Sequence, residues 1–330
     1  MDRTDKRILN NEFWGHVLDH NFRAAKNDLQ NGADINHQKG TTLIDCIKKN
    51  DLDAVNFLIE NKAKLKFSDT YPLTESIRHA SDDMTRLLVQ RGANVQENDN
   101  MPIRTASDRK NFDMVRFLHK HGATISHDYD HIIKDATEHS LEALEYCFEN
   151  STIKNPANVI NNAAEQGRTD CLAYLIEKRL PLDGQNPDGS MAHNSETPLY
   201  LAAIAGHADK IELLVKHGVN PNNQQALQGA INNGHLEATK ALVELGADPT
   251  MHNDNALYHS ITWGQDAITN YLIAEHKMPV RPETRQWIAE KRETLPNAEY
   301  AFRVLEKRDV NERLHLNLQG NQSKKQTMKI

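Results

Sequence analysis

Seventeen histidines, three cysteines and a scatter of carboxylates are the residues of this chain that could do chemistry. Metal binding needs side chains at a spacing that turns them to one point. The closest histidine pair, His119 and His121, stands at the end of a helical segment, immediately before Gly122. Lys216-His217-Gly218 repeats that setting, and cations are favoured at a helix C-terminus, so these read as helix-end histidines. Cys46, Cys147 and Cys171 show no CxxC spacing and suit neither a disulfide framework nor a zinc site; all three fall where a helix needs a small apolar side chain. Asp135, Glu138, His139 and Glu165 are the titratable groups that a pocket in the irregular stretch 128–195 would have to enclose, but no acid, base or nucleophile constellation is visible there. The motifs GxxxxGK[ST], GxGxxG, GxSxG and HExxH do not occur. Asp183 to Ser190 has the look of a calcium loop, yet it lacks alternating Asp/Asn and a closing glutamate. No catalytic residue, cofactor or metal is therefore expected.

Composition narrows the function classes further. The chain has 330 residues, a formal charge of -7 and 6% aromatics. With a mean hydropathy of -0.70, this is poor material for one large core. Stacked repeats remove the difficulty, because each packs only on its neighbours. Net acidity disfavours nucleic acid as a partner. No stretch reaches the roughly 18 apolar residues of a membrane span, and the start, MDRTDKRILNNEF, is not a signal peptide. A cytoplasmic protein is the expectation, with no membrane contact.

What must position any site is a period. Taking Ala202 as a ruler, equivalent residues fall at His16, Cys46, Ser76, Ala106, Ala136, Ala163, Ala202, Ala230 and Ser260, in steps of 30, 30, 30, 30, 27, 39, 28 and 30. Three residues earlier the side chain is always apolar, from Phe13 through Ile133 to Leu257. Twelve residues later come Leu58, Leu88, Leu118, Phe148, Leu175, Leu214, Leu242 and Leu272; only the first repeat departs, with Asp28. Two registers held over nine repeats describe stacked helix pairs. Thr197 can cap a helix that Pro198 begins, and Pro72 and Pro102 share that slot. Gly206, Gly167, Gly234 and Gly264 suit the turn between the two helices. Gly32, Gly92, Gly122, Gly218 and Gly246 end the second helix, where Lys62, Thr152, Arg179 and His276 replace glycine in other repeats.

Thr197-Pro198-Leu199-Tyr200-Leu201-Ala202-Ala203, then Gly206-His207, a leucine pair and Gly218, resembles the ankyrin repeat; Gly234-His235 to Gly246-Ala247-Asp248-Pro249 is a second match. The resemblance implies an all-α ankyrin-repeat solenoid of stacked helix-turn-helix units. It also implies that His207 and His235 are structural. The usual period is about 33, so the missing residues should come from shortened finger loops, with little regular strand. The predicted organisation is an N-terminal segment over 1–10 and repeats one to six over 11–182. An inserted loop over 183–195 and repeats seven to nine over 196–280 follow. Helices from Pro282 to Lys291 and from Pro296 to Lys307 should form a helical C-terminal cap over 281–317, followed by a disordered basic tail over 318–330.

Ankyrin proteins usually grip partners with finger loops and the exposed face of the first helices. Here that face reads Lys48-Lys49, Arg78-His79 and Asp108-Arg109, with Arg104 and Lys134 nearby, and turns neutral or apolar over repeats seven to nine. The expected partner is another protein with an acidic surface, met by that basic stripe. Tyr200, Ile204, Tyr258 and Trp263 are its apolar anchors. Charges on a solvated helix face also alternate by chance, and Trp263 could equally pack on the cap. The function implied is non-catalytic: an adaptor, inhibitor or sequestering factor, expected as a monomer. The alternative is a viral, phage or bacterial effector that disables a host protein in the host cytoplasm. Nucleic-acid binding and a small-ligand site in 128–195 rank behind both.

Overall fold

A computed structural model describes residues 3–67, 70–126, 130–185 and 196–327. The chain divides into two compact bodies, Met1–Lys154 and Asn155–Ile330. The division falls between repeats five and six, upstream of the inserted segment, of which residues 186–195 lie outside the described residues.

The N-terminal body is five helix–turn–helix pairs: α1 (Arg3–Leu18) with α2 (Phe22–Gln30), α3 (His37–Lys48) with α4 (Leu52–Glu60), α5 (Pro72–His79) with α6 (Asp82–Gln90), α7 (Glu97–Asp108) with α8 (Phe112–Lys120), and α9 (His131–His139) with α10 (Leu141–Glu149). First helices pack in succession, α1 on α3, α3 on α5, α5 on α7 and α7 on α9. In the C-terminal body the pairs are α11 (Pro156–Glu165) with α12 (Thr169–Glu177), α13 (Pro198–Ile204) with α14 (Ala208–Lys216), and α15 (Gln224–Asn232) with α16 (Leu236–Glu244). Then come α17 (Met251–Thr262) and α18 (Asp266–Asn270), the latter continued by a π turn (Tyr271–Glu275). Last are α19 (Pro282–Lys291), packed on α17, and α20 (Pro296–Thr327), packed on α17, α18 and the π turn. No strand element occurs among the described residues.

Burial follows the two registers. The ruler residues from Cys46 to Ser260 are completely buried, and the apolar residue three positions earlier is buried in all nine repeats. Caps fix where the second helices start: Asn21, Asp51, Ser81, Asn111 and Ser140 each accept the backbone N–H three residues on, at 2.9–3.3 Å. In the G-H repeats the histidine instead reaches back, His207 Nε2 to the Glu165 carbonyl at 2.8 Å and His235 Nε2 to the Ile204 carbonyl at 2.9 Å. Gly206 gives His235 its room: its φ is +81°, and a Cβ there would lie 2.7 Å from the imidazole.

The short period has a conformational cause. Gln38-Lys39-Gly40, Asn98-Asp99-Asn100 and His252-Asn253-Asp254 are each three successive left-handed residues. A left-handed turn replaces a strand-bearing finger there, and Asn, Asp and Gly tolerate it best. Side chains at the loops, and Asn10 from within α1, tie neighbours together. Asn10 accepts the Asp34 N–H at 2.8 Å, Asn36 that of Lys64 at 2.8 Å and Asn100 that of Thr124 at 2.9 Å. Asn222 accepts the Asp248 N–H at 3.1 Å and Asp254 that of Arg281 at 2.9 Å.

Three expectations need correction. In repeat five Cys147, not Phe148, fills the buried slot of the second helix. Ser140 ends α9 and caps α10 at once, which shortens the turn by a residue and shifts the helix register. In repeat nine the left-handed position falls on Lys277 (φ 55°), not His276, because the π turn adds a residue before it. The tail expected to be disordered is helical through Thr327, as the end of α20. The run Leu314–Thr327 contains no proline and one glycine, so nothing local stops the helix that Pro296 begins.

Candidate functional site

The two bodies present different first-helix faces. In the N-terminal body the structure gathers the stripe around a carboxylate that the sequence pattern did not single out. Glu75, on α5, receives Lys48 Nζ at 3.5 Å, Arg78 Nη1 at 3.2 Å and His79 Nε2 at 3.6 Å. Glu75 is mostly shielded while Lys48, Arg78 and the His79 ring are each about half exposed, so the positive charge of Lys48 and Arg78 faces solvent and the carboxylate spaces it. Arg109 joins them by donating from Nη1 to the Arg78 carbonyl at 3.1 Å. Lys49 is exposed at the end of α3. Arg104 lies apart, 3.9 Å from Asp99, and Lys134 is half-buried on α9.

Trp14 was also missed. It holds the position two before the ruler, as Arg104, Lys134, Tyr200 and Tyr258 do, and extending that slot to the first repeat would have found it. Its ring is 42% exposed and its indole N–H donates to Asp45 at 2.8 Å.

In the C-terminal body, Tyr200 and Ile204 lie half-buried on α13. Gly229 on α15 lets the two helices close, since a Cβ there would stand 2.6 Å from Ile204 and 3.3 Å from Tyr200. Tyr258 is 43% exposed with its ring 4.6 Å from that of Trp287 on α19. Trp263 is 60% exposed at the end of α17. Solvent-facing aromatics with one packed side are the form that dominates protein interfaces.

The acid–base candidates serve the helix stack. Asp135 accepts Ser107 Oγ at 2.6 Å, and Lys110 Nζ bridges Asp135 and Glu138, both at 3.1 Å. Burial of Lys110 opposes its charge, but the two carboxylates outweigh it and raise its pKa. His139 stacks on Phe112 at 4.8 Å. His119 pairs with the Tyr146 hydroxyl and His121 with the Phe117 carbonyl, both at 2.8 Å, so the two rings turn to different partners. No group of three potential metal ligands converges among the described residues. The cysteines are fully buried, and burial pushes the Cys46 and Cys147 thiols up to about 12. Among the described residues no helix is long and apolar enough to cross a membrane.

A family model described as ankyrin repeats (3 copies) matches residues 43–129, 131–225 and 160–253, more than half of the chain. The chain is 28% identical over 116 residues to the ankyrin repeat domain-containing protein oryK of Aspergillus oryzae, covering 34% of this chain and 17% of that protein. It is 30% identical over 97 residues to an ankyrin repeat protein of Fowlpox virus, covering 28% of this chain and 21% of the viral protein. The chain thus spans about a fifth of the length of these relatives. A solved structure of the Bd0816 predatory endopeptidase from Bdellovibrio bacteriovorus in complex with immunity protein Bd3460 contains a similar chain. That match has 21% identity and a TM-score of 0.43, and covers 53% of this chain and 96% of the other. Paired helices stacked on buried small residues, with G-H turns and the matching family model, place this chain in the ankyrin repeat family.

Proposed function

We propose that the chain is a non-catalytic binding protein, an adaptor, inhibitor or sequestering factor, that grips an acidic surface of a partner protein. The observation that carries this is the Lys48–Arg78–His79 cluster around Glu75, extended by Arg109. Lys48 and Arg78 are gathered on one carboxylate before any partner arrives, which lowers the ordering cost of binding. Tyr258 and Trp263 supply exposed aromatic anchors on the other body, and Trp14 adds one to the first. Carboxylates between the cations, with few aromatics among them, favour a protein over nucleic acid.

The test is capture from lysate by the tagged chain, with Lys49→Glu, Arg78→Glu and Arg109→Glu combined in a parallel bait. One partner recovered by the wild type and lost by the folded triple variant supports the reading. A partner retained by both moves the interface to the aromatic face. The similarity to a poxvirus ankyrin protein favours a second reading, an effector directed at a host protein. Lysates of the chain's own cell and of a host cell, run side by side, separate the two.

A further inference from the structure

A groove of about 920 Å3 lies at the C-terminal end of the second body, between α18 with its π turn and α20. One wall is α18 and the π turn; the other is one face of α20, from Tyr300 to His315. Ala274, Tyr300 and Val304 give it an apolar strip. Lys277, Arg303, Lys307 and Arg308 line it as well, against the single carboxylate of Glu312. In a chain of net charge -7 this is a local inversion of sign.

The cations fall into two groups. Arg308 is structural: its Nη1 donates to the Met278 carbonyl at 3.0 Å and reaches that of Ile273 at 3.4 Å, holding backbone acceptors at the end of the π turn. Arg303 is paired with Glu299 at 2.8 Å. Lys277 and Lys307 are exposed and have no ion-pair partner among the described residues. Lys277 reaches the groove from the left-handed position that the π turn moved by a residue. π turns inside helices cost hydrogen-bond geometry and concentrate at functional places. Here the turn sits in the wall of the groove and carries Ala274, with Lys277 just beyond it.

We propose that this groove docks an acidic segment of a partner protein, separately from the first-helix faces. From Tyr300 to His315 the α20 wall runs about 22 Å, the length of about seven extended residues. Apolar side chains of the segment lie on Tyr300 and Val304, and its carboxylates meet Lys277 and Lys307. Single-stranded nucleic acid needs successive aromatic platforms, and the groove has one tyrosine. A membrane-surface helix presents its apolar face outward, whereas this apolar strip lies between two walls.

The experiment is fluorescence anisotropy of a fluorescein-labelled twelve-residue peptide of glutamate and leucine, titrated with the full chain at low salt. The expected result is saturable binding, weakened about tenfold or more by Lys277→Glu with Lys307→Glu, and lessened by salt. Both side chains are exposed, and an unchanged thermal melt confirms that the variant folds. Arg78→Glu with Arg109→Glu leaves the peptide affinity within about twofold, which separates this groove from the stripe of the first body. No binding by the wild type would overturn the proposal, as would affinity indifferent to the Lys277/Lys307 reversal. Tighter capture of phosphatidylserine vesicles or a thymidine oligonucleotide through the same lysines would also overturn it.

Discussion

His16 and Asp28 break the repeat pattern in the same helix pair, and they break it together. Elsewhere the ruler slot is small and the slot twelve residues on is apolar, or shifted to Cys147; in the first pair His16 Nδ1 lies 2.7 Å from Asp28 Oδ2. The Asp28 side chain is 8% exposed and that of His16 37%, so truncating His16 strands a buried acceptor while leaving an entrance for water. His16→Ala should cost about 1–3 kcal/mol, the penalty of a buried group left unpaired. The larger penalty of a fully dry ion pair does not apply. Asp28→Leu restores the repeat pattern and buries a side chain worth about 1.5–3 kcal/mol, offsetting the lost hydrogen bond. The double variant His16→Ala/Asp28→Leu should therefore sit near the wild type, with a coupling of at least about 1 kcal/mol. Hydrogen exchange of the α1 and α2 amides reads the local opening, and urea unfolding reads the whole, which a repeat array need not lose in one step. Additive effects, with the double variant no better than His16→Ala, would refute the reasoning.

Two titrations test buried charges elsewhere. Lys210 is buried where other repeats carry Ala, Met, Cys or Ile, and its Nζ donates to the Ala163 and Ala164 carbonyls at 3.2 and 3.1 Å. Burial lowers its pKa below 10.5, so in the window beneath that value the unfolded chain binds more protons and stability rises with pH. The wild type should gain on Lys210→Met as urea unfolding is repeated from about pH 8 to 10; parallel profiles would sink this. Glu97 is buried and accepts both the backbone N–H and the hydroxyl of Thr74, at 3.0 and 2.9 Å. Burial raises its pKa above 4.5 despite those bonds, so the folded state holds the proton longer and stability falls as pH climbs through that window. Glu97→Gln should flatten this slope and match or exceed wild-type stability at neutral pH; equal slopes for both chains would contradict it.

The helix pairs were legible because one buried slot recurs: Leu43, Leu73 and Ile103 must each be apolar for the next pair to stack. Features that change the residue count by one were not legible. Ser140 serving as two caps and the π turn after Asn270 are backbone economies that leave composition unchanged. A period of 30 pointed to short loops, but their triple left-handed turns need φ values that Asn and Asp merely tolerate. The cationic positions could be read one by one. Arg78 and His79 follow Glu75 by three and four residues on α5, a spacing that was there to be read; the reach of Lys48 to the same carboxylate was not, since it depends on how far α3 and α5 are offset.

The loop ties have a direction. In five such pairs, Asn10 with Asp34, Asn36 with Lys64, Asn100 with Thr124, Asn222 with Asp248 and Asp254 with Arg281, the earlier repeat supplies the acceptor and the later one the N–H. Peeling a repeat from the N-terminal side strands a donor, which has a single proton to place. Peeling from the other side frees an oxygen with two lone pairs, which water satisfies readily. Within each body these backbone N–H ties act as latches, each locked by the repeat that follows it, while the Gln96 side chain runs the other way by donating to the Gly122 carbonyl at 2.6 Å.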